Sequence, residues 1–394
     1  MPRWNNPKKK WRCDFINSGY KRYFRAHRRE IMAAYEKCLA NGEFVLREGL
    51  FKFERNLAKF LKVKYALGVA SGTDALRIAY EACEMKRQKT DDPLSLIGKE
   101  IICVSHTFIA PIERIVQHGA KPVLVDVGED ALMDVSKIEA AITEKTVGIV
   151  PVHLSGKTCD MSEIQRIAKK HKLWVVEDAC QALGASYGGK MAGTIGDMGA
   201  FSFIAPKTLG GPGDGGGIVT NDPWLYERCL WLRNHSNITQ GVLHGHQPKE
   251  PEKMLWGSNS RLDVTMAEFL NIKLTKYYRG MLARRKAIYK RYAKAFKDLP
   301  LKLPTTQPGQ IFQEIIVRVD NADKFKAHMA KNGVEVLVRD TVTNHKKYEW
   351  FFGPLPLPVT EGMAMSAVRL PSYPELKDKE VEIVIEAVRF YFEK

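Results

Sequence analysis

Four polar constellations in this 394-residue sequence each follow directly on an apolar run. The first is Ser71-Gly72-Thr73, ahead of the helical pattern DALRIAYEAC. Glycine there lets a ligand approach the backbone, and the open N–H groups of a helix start make a phosphate site. The same residues also suit a plain helix cap. The second is Glu177-Asp178-Ala179-Cys180-Gln181, at the end of LWVVED. A carboxylate in that place is nearly buried and needs a cation or hydrogen bonds. The third runs from Ser202 to Ala205-Pro206-Lys207. A lysine at a strand end can be a Schiff-base nucleophile when burial lowers its pKa; a solvated loop lysine is the alternative. The fourth is Phe108, after VSHT, either a flat platform for a ring or a core residue.

Order and spacing connect the four. A phosphate cradle, an aromatic plate, an acid, then a hydroxyl and a lysine are what pyridoxal phosphate requires. Its phosphate needs helix N–H groups and a hydroxyl. Its ring nitrogen needs a carboxylate, so that the protonated ring draws electrons. Its aldehyde needs an amine.

These groups need elements to hold them. Apolar strands over 63–70, 100–105, 121–127, 146–154 and 173–178 alternate with helices over 109–117, 135–142 and 161–171. That alternation predicts an α/β fold with a mostly parallel sheet covered on both faces. Ligands in such sheets sit beyond the carboxyl ends of the strands, where all four constellations fall. Strands at 199–203 and 216–222 flank the glycine-rich KTLGGPGDGGG. Residues 235–258 read as a long loop, and 263–296 as one long helix. The strands at 312–319, 334–338 and 367–371, with helices at 321–331 and 378–392, predict a small C-terminal α+β domain. The expected division is a basic arm and entry segment over 1–28, a large domain over 29–280 and a small one over 281–394.

Composition sets the limits. Hydrophobic residues make up 45% and charged residues 27%, which excludes a disordered or collagen-like chain. No run of 18 apolar residues exists, so no membrane span is expected. The first residues carry charge but no apolar stretch, so no secretory signal is expected. Seven scattered cysteines without a CxxC pair suit reduced cytoplasmic thiols and no metal site. The net charge of +16 suits an anionic substrate or a basic surface. It is spread along the chain, with one tight run at Lys8 to Lys10, so a nucleic-acid partner is not the expectation.

Eight segments in order resemble the sugar aminotransferase family of the fold-type-I pyridoxal phosphate enzymes, the DegT/DnrJ/EryC1/StrS group. They are SGTDAL (71–76), HTFIAPIERIVQHGAKPVLVDV (106–127), VVEDACQALGASYGGKMAGTIGD (175–197), AFSFIAPKTLGGPGDGGGIVTND (200–222), LRNHS (232–236), GSNSRLD (257–263), LPVTE (357–361) and LPSYPEL (370–376). The resemblance implies that Lys207 is the Schiff-base lysine and proton shuttle. Asp178 would pair with the ring nitrogen, Gln181 would contact the ring hydroxyl side and Phe108 would stack on the ring. Gly72, Thr73 and Ser202 would hold the phosphate. Asn259 would reach the phosphate of a partner subunit, making a homodimer with shared sites, and Arg261 would bind a carboxylate or phosphate. An Asn capping the helix that starts near Asp263 is the other reading of Asn259.

By this resemblance the chain would take an amino group, from glutamate by family habit, through pyridoxamine phosphate, to a keto sugar on a nucleotide diphosphate. The product keto acid would be 2-oxoglutarate. The N-terminal segment is more like the branch acting on 3-keto sugars than the 4-keto branch. Lys207 argues against the sugar dehydratase branch, which has histidine there. A non-catalytic, DNA-binding regulator is the rival from another class. The sequence departs from the family at Ala205-Pro206, at LREG (46–49) and over 339–356. Substrate contacts there do not transfer.

Overall fold

The computed structural model describes residues 13, 17–237, 255–338 and 342–393. Lys8 to Lys10, most of the loop expected over 235–258 and residues 339–341 lie outside them. Helix α1 (Asn17–Asn41) leads to α2 (Glu48–Leu61), which stops at Lys62 in the left-handed conformation. Alternation follows: β1 (Tyr65–Val69), α3 (Gly72–Gln88), β2 (Glu100–Val104), α4 (Ala110–Gln117), β3 (Lys121–Val125), β4 (Thr146–Ile149), α5 (Met161–His171) and β5 (Trp174–Asp178). A short hairpin, β6 (Ser186–Tyr187) and β7 (Lys190–Met191), precedes β8 (Met198–Ser202), β9 (Gly216–Thr220) and α6 (Pro223–Arg233). Capping residues set where these helices start. Ser71 accepts the N–H of Asp74, Asp160 that of Glu163, and Asp222 those of Trp224 and Leu225.

Seven strands form one sheet in the order β1-β9-β8-β5-β4-β2-β3. Every junction from β8 to β3 is parallel, while β9 runs against both of its neighbours. Successive side chains point to opposite faces. Leu67, Val69, Ala200 and Ile218 pack with α3, α4, α5 and α6 on one face. Ala66, Phe201 and Val219 pack with α2 and the helix that follows α6 on the other. The sheet is thus covered on both sides, as the apolar strands require.

The remaining chain runs through α7 (Val264–Ile272), α8 (Tyr278–Ala295), β10 (Ile315–Arg318), α9 (Ala322–Lys331), β11 (Leu337–Val338), α10 (Asn344–Lys347), α11 (Glu349–Phe352), α12 (Pro358–Ser366), β12 (Ala367–Leu370) and α13 (Asp378–Phe392). An antiparallel sheet, β10-β12-β11, has its own core with α9, α13 and the later turns of α8. Helix α1 spans the far side. Its Arg22 grips Glu380 of α13 at 2.6 and 2.5 Å, and Cys13 pairs with Val334. Among the described residues no helix is long and apolar enough to cross a membrane.

Three expectations are corrected. The helix over 135–142 is two 3-10 turns, Val135–Lys137 and Glu139–Ala141, because Asp134 takes the Ser136 N–H and eight residues nucleate a helix poorly. The strand over 146–154 ends at Ile149, since Pro151 has no N–H to give to a ladder. The long helix is interrupted by a π-helical turn, Lys273–Tyr277. Helix α1 is kinked at His27, next to the expected boundary at residue 28.

One buried ion pair ties the layers. Glu54 on α2 and Arg233 at the end of α6 lie 2.6 Å apart, 3% and 2% exposed, and hold the N–H and carbonyl of Gly68 on β1 between them. Arg233→Met is expected to cost about 3–5 kcal/mol, read from urea unfolding, because it leaves a buried carboxylate without its cation. Adding Glu54→Leu should recover part of that loss.

Candidate active site

The site is built where helix α3 begins against the ends of β8 and β5. A Cβ placed on Gly72 would lie 2.7 Å from Cβ of Ser202 and 3.0 Å from Sγ of Cys180. The phosphate turn and the hydroxyl end of β8 are therefore in direct contact. Gly216 on β9 allows the same closeness, since a Cβ there would meet the Ser71 carbonyl at 2.2 Å. Ser71 caps the helix, as the second reading of that turn expects. The first helical turn leaves the N–H groups of Gly72 and Thr73 without intrahelical acceptors, and it carries the positive end of the helix dipole.

Glu177 and Asp178 have opposite fates. Glu177 is fully buried and takes N–H groups from Gly193, Ile195 and Gly196 at 2.6–2.7 Å. It also meets Nε2 of His153 at 2.8 Å. His153 Nδ1 accepts the Cys159 N–H, so Nε2 carries the proton and donates to Glu177. Glu177 is thus a structural anchor. Asp178, one residue on, faces the other way, with its Oδ1 accepting the Cys180 N–H at 3.1 Å. The Cys180 thiol is pushed well above its ordinary value by burial, with Asp178 adding to the shift and Lys207 opposing it. The carboxylate, the thiol and the lysine therefore share one electrostatic neighbourhood. Gln181 is buried, and its Oε1 accepts the N–H of Ser155.

Above these groups lies an open cleft of about 1270 Å³ between the large sheet and the C-terminal sheet. Lys207, Phe108, Ser155 and Lys157 line it. Phe108 is 61% exposed, so it is not a core residue. Its loop is pinned by Asn344, whose amide donates to the carbonyls of Ser105 and Thr107. His106, also on the cleft wall, is lowered to about 4 by burial and by nearby Lys157. Lys207 sits in a compact turn: its N–H donates to Ile204 and its carbonyl accepts from Gly210.

Asn259 and Arg261 stand apart from the cleft of this chain. Ser258 and Ser260 both turn toward α3, bonding Arg77 and Asp74, and Asn259 between them is exposed. It pairs by backbone with Asn234, whose side chain takes a bond from Arg261 at 3.1 Å. Asn259 does not cap α7, because the N-cap position is Asp263. Sequence reasoning missed Ser155, His153 and Gln313. The first two follow the end of β4 in PVHLSG, where the strand-end rule could have flagged them. Gln313 sits inside a strand-like run and gave no local signal.

The residues present fit pyridoxal phosphate. Gly72 and Gly216 let the α3 turn, with its open N–H donors, pack directly on Ser202, and Asp178 and Lys207 both lie near Cys180 beside it. The comparisons agree. Residues 25–389 match the model of the DegT/DnrJ/EryC1/StrS aminotransferase family. The chain is 36% identical over 371 residues to dTDP-3-amino-3,6-dideoxy-alpha-D-galactopyranose transaminase of Aneurinibacillus thermoaerophilus, covering 93% of this chain and 96% of that protein. It is 35% identical over 374 residues to a "Pleiotropic regulatory protein" of Geobacillus stearothermophilus, covering 92% and 94%. The crystal structure of S. venezuelae DesV in complex with a ketimine intermediate superposes with a TM-score of 0.86 at 33% identity, covering 98% of this chain and 99% of that one. Sequence, fold and site thus converge: the chain belongs to the DegT/DnrJ/EryC1/StrS family and is a pyridoxal phosphate-dependent sugar aminotransferase.

Proposed function

We propose that this enzyme moves the amino group of glutamate to the 3-keto group of a nucleotide diphosphate-linked deoxy sugar, as a homodimer with shared sites. The observation that carries the reading is the joining of Gly72, Ser202, Asp178 and Lys207 at one end of the sheet. The 3-keto choice is supported by the 3-amino product named for the relative from A. thermoaerophilus. Lys157, Arg318 and Lys302 on the cleft wall suit a diphosphate, in line with the basic charge of the chain.

When bound, pyridoxal phosphate supplies a protonated ring that takes up the electron pair left as a proton departs. Asp178 keeps that ring nitrogen protonated by its charge. Gly72, Thr73 and Ser202 hold the phosphate, Phe108 covers a ring face and Gln181 positions the ring hydroxyl side. Lys207 would hold the cofactor through its amine in the resting enzyme. That amine, once free, would take a proton from the donor carbon and return one nearby, and would do the reverse for the sugar. Arg261 binds a carboxylate or phosphate beside the Asn259 segment.

The test is absorbance. The purified chain with pyridoxal phosphate should show a lysine-linked band that bleaches with glutamate and returns with 2-oxoglutarate or a 3-keto nucleotide sugar. A band without bleaching would favour the regulatory reading that the relative from G. stearothermophilus suggests. Lys207→Ala should lose the band and all turnover, yet still bind pyridoxamine phosphate. Turnover near wild type in that variant would sink the lysine assignment.

Asp178→Asn should keep cofactor but turn over at least about 100-fold more slowly, because an amide cannot hold the ring proton by charge. An unchanged rate would make Asp178 a structural strand-end residue. Asn259 is tested by mixing subunits. Lys207→Ala chains combined with Asn259→Ala chains should give mixed dimers with one whole site, and activity above either parent. Absence of rescue, with mixed dimers formed and Asn259→Ala alone impaired, would refute the trans contact.

A further inference from the structure

Lys207 is held from both sides by one side chain that comes from the C-terminal part of the fold. Gln313 Nε2 donates to the carbonyl of Pro206 at 2.8 Å, and Gln313 Oε1 accepts the N–H of Thr208 at 2.8 Å. Pro206 and Thr208 are the neighbours of Lys207 before and after. The amide orientation follows from its partners, since a carbonyl only accepts and a backbone N–H only donates. A planar amide carries its donor and acceptor at a fixed separation. It therefore sets the backbone on both flanks of Lys207, much as an adjacent strand would.

The clamp is itself held rigid. Gln313 is 5% exposed. Arg285 donates to the Gln313 carbonyl at 3.0 Å and to the Ser372 carbonyl at 2.9 Å. On the other side, a Cβ on Gly156 would lie 2.8 Å from the Gln313 nitrogen, and Gly156 adopts a φ of +87° that suits glycine. Buried Lys273, in the π-helical turn, donates to the Gly210 carbonyl at 2.8 Å and secures the far end of the same turn. The network runs from Ser372 through Arg285 and Gln313 to Lys207.

We propose that Gln313 is the positioning residue for Lys207, aiming its amine by gripping the peptide units on either side. The proposal rests on the reading of Lys207 as the cofactor lysine. No other side-chain type reproduces the grip. Glu keeps the acceptor for Thr208 but sets an oxygen against the Pro206 carbonyl. Asn is one methylene short, and Met leaves both peptide groups without partners.

Gln313→Met and Gln313→Glu are compared with wild type in three measurements. The first is the rate at which the apo chain fixes pyridoxal phosphate on Lys207, trapped by borohydride and located by peptide mass. The second is the pH midpoint of the lysine-linked band without substrate. The third is kcat and KM for the keto sugar. Both variants should fix cofactor more slowly, shift the pH midpoint and lose about 10- to 100-fold in kcat with little change in KM, since small misplacements of a reacting group cost that much. A residue that only stabilises the fold would lower the urea midpoint and leave the pH midpoint unmoved. Wild-type uptake rate and pH midpoint in either folded variant overturn the proposal. A wild-type chain that fixes no cofactor on Lys207 overturns both this proposal and the reading beneath it.

Discussion

The first turn of α3 meets the last residue of β8 with no side chain between them. Gly72 and Gly216 make that contact possible, since a methyl group at either position would overlap Ser202 or the Ser71 carbonyl. The closeness brings the helix N–H groups, the Ser202 hydroxyl and the Cys180–Asp178 turn within one small volume. Strand β9 must run antiparallel between β1 and β8 for this to work, because it places Gly216 opposite both Val69 and Ser202. The departure from a fully parallel sheet is therefore what assembles the site.

Around that contact the buried carboxylates of Glu177 and Glu54 are each held by backbone N–H groups and one side chain. Glu177 gathers three N–H groups of the 193–196 turn and the proton of His153. Glu54 and Arg233 share Gly68. The Glu177 network, with both carboxylate oxygens bonded, is of the kind that rigidifies a core. Asp178 is bonded only locally, to Cys180, on which Lys207 also acts. The contrast between two adjacent carboxylates, one locked and one available, is set by which face of β5 each occupies.

Much of this was legible in the sequence, for physical reasons that differ by region. Strands β1, β2, β3 and β5 stood out because both of their faces are buried, so their apolar runs are continuous. The cofactor set stood out because each member follows such a run. Three features gave no such sign. The 135–141 turns have helical spacing, but Asp134 competes for the backbone. The π turn carries Lys273, whose bond to Gly210 spans 63 residues of sequence. Gln313 sits in a run that reads as strand and acts through partners more than 100 residues distant. Sequence spacing carries local periodicity well and long-range hydrogen bonds hardly at all. The exposure of Asn259 has no signature in residue spacing and follows from Ser258 and Ser260 facing α3.

The grip of Arg22 on Glu380 has a consequence in time as well as in space. Tyr20 and Tyr23 of α1 form part of the cleft wall, yet the helix they ride on is fastened by α13. On a ribosome the wall is made early and its fastening last, at about 5–20 residues per second. Helix α1 docks in stages, since Lys276 and Tyr277 reach its Glu30 well before Glu380 can reach Arg22. The Arg22 end of the cleft wall is therefore the last part of it to be fixed, after α13 has left the ribosomal tunnel.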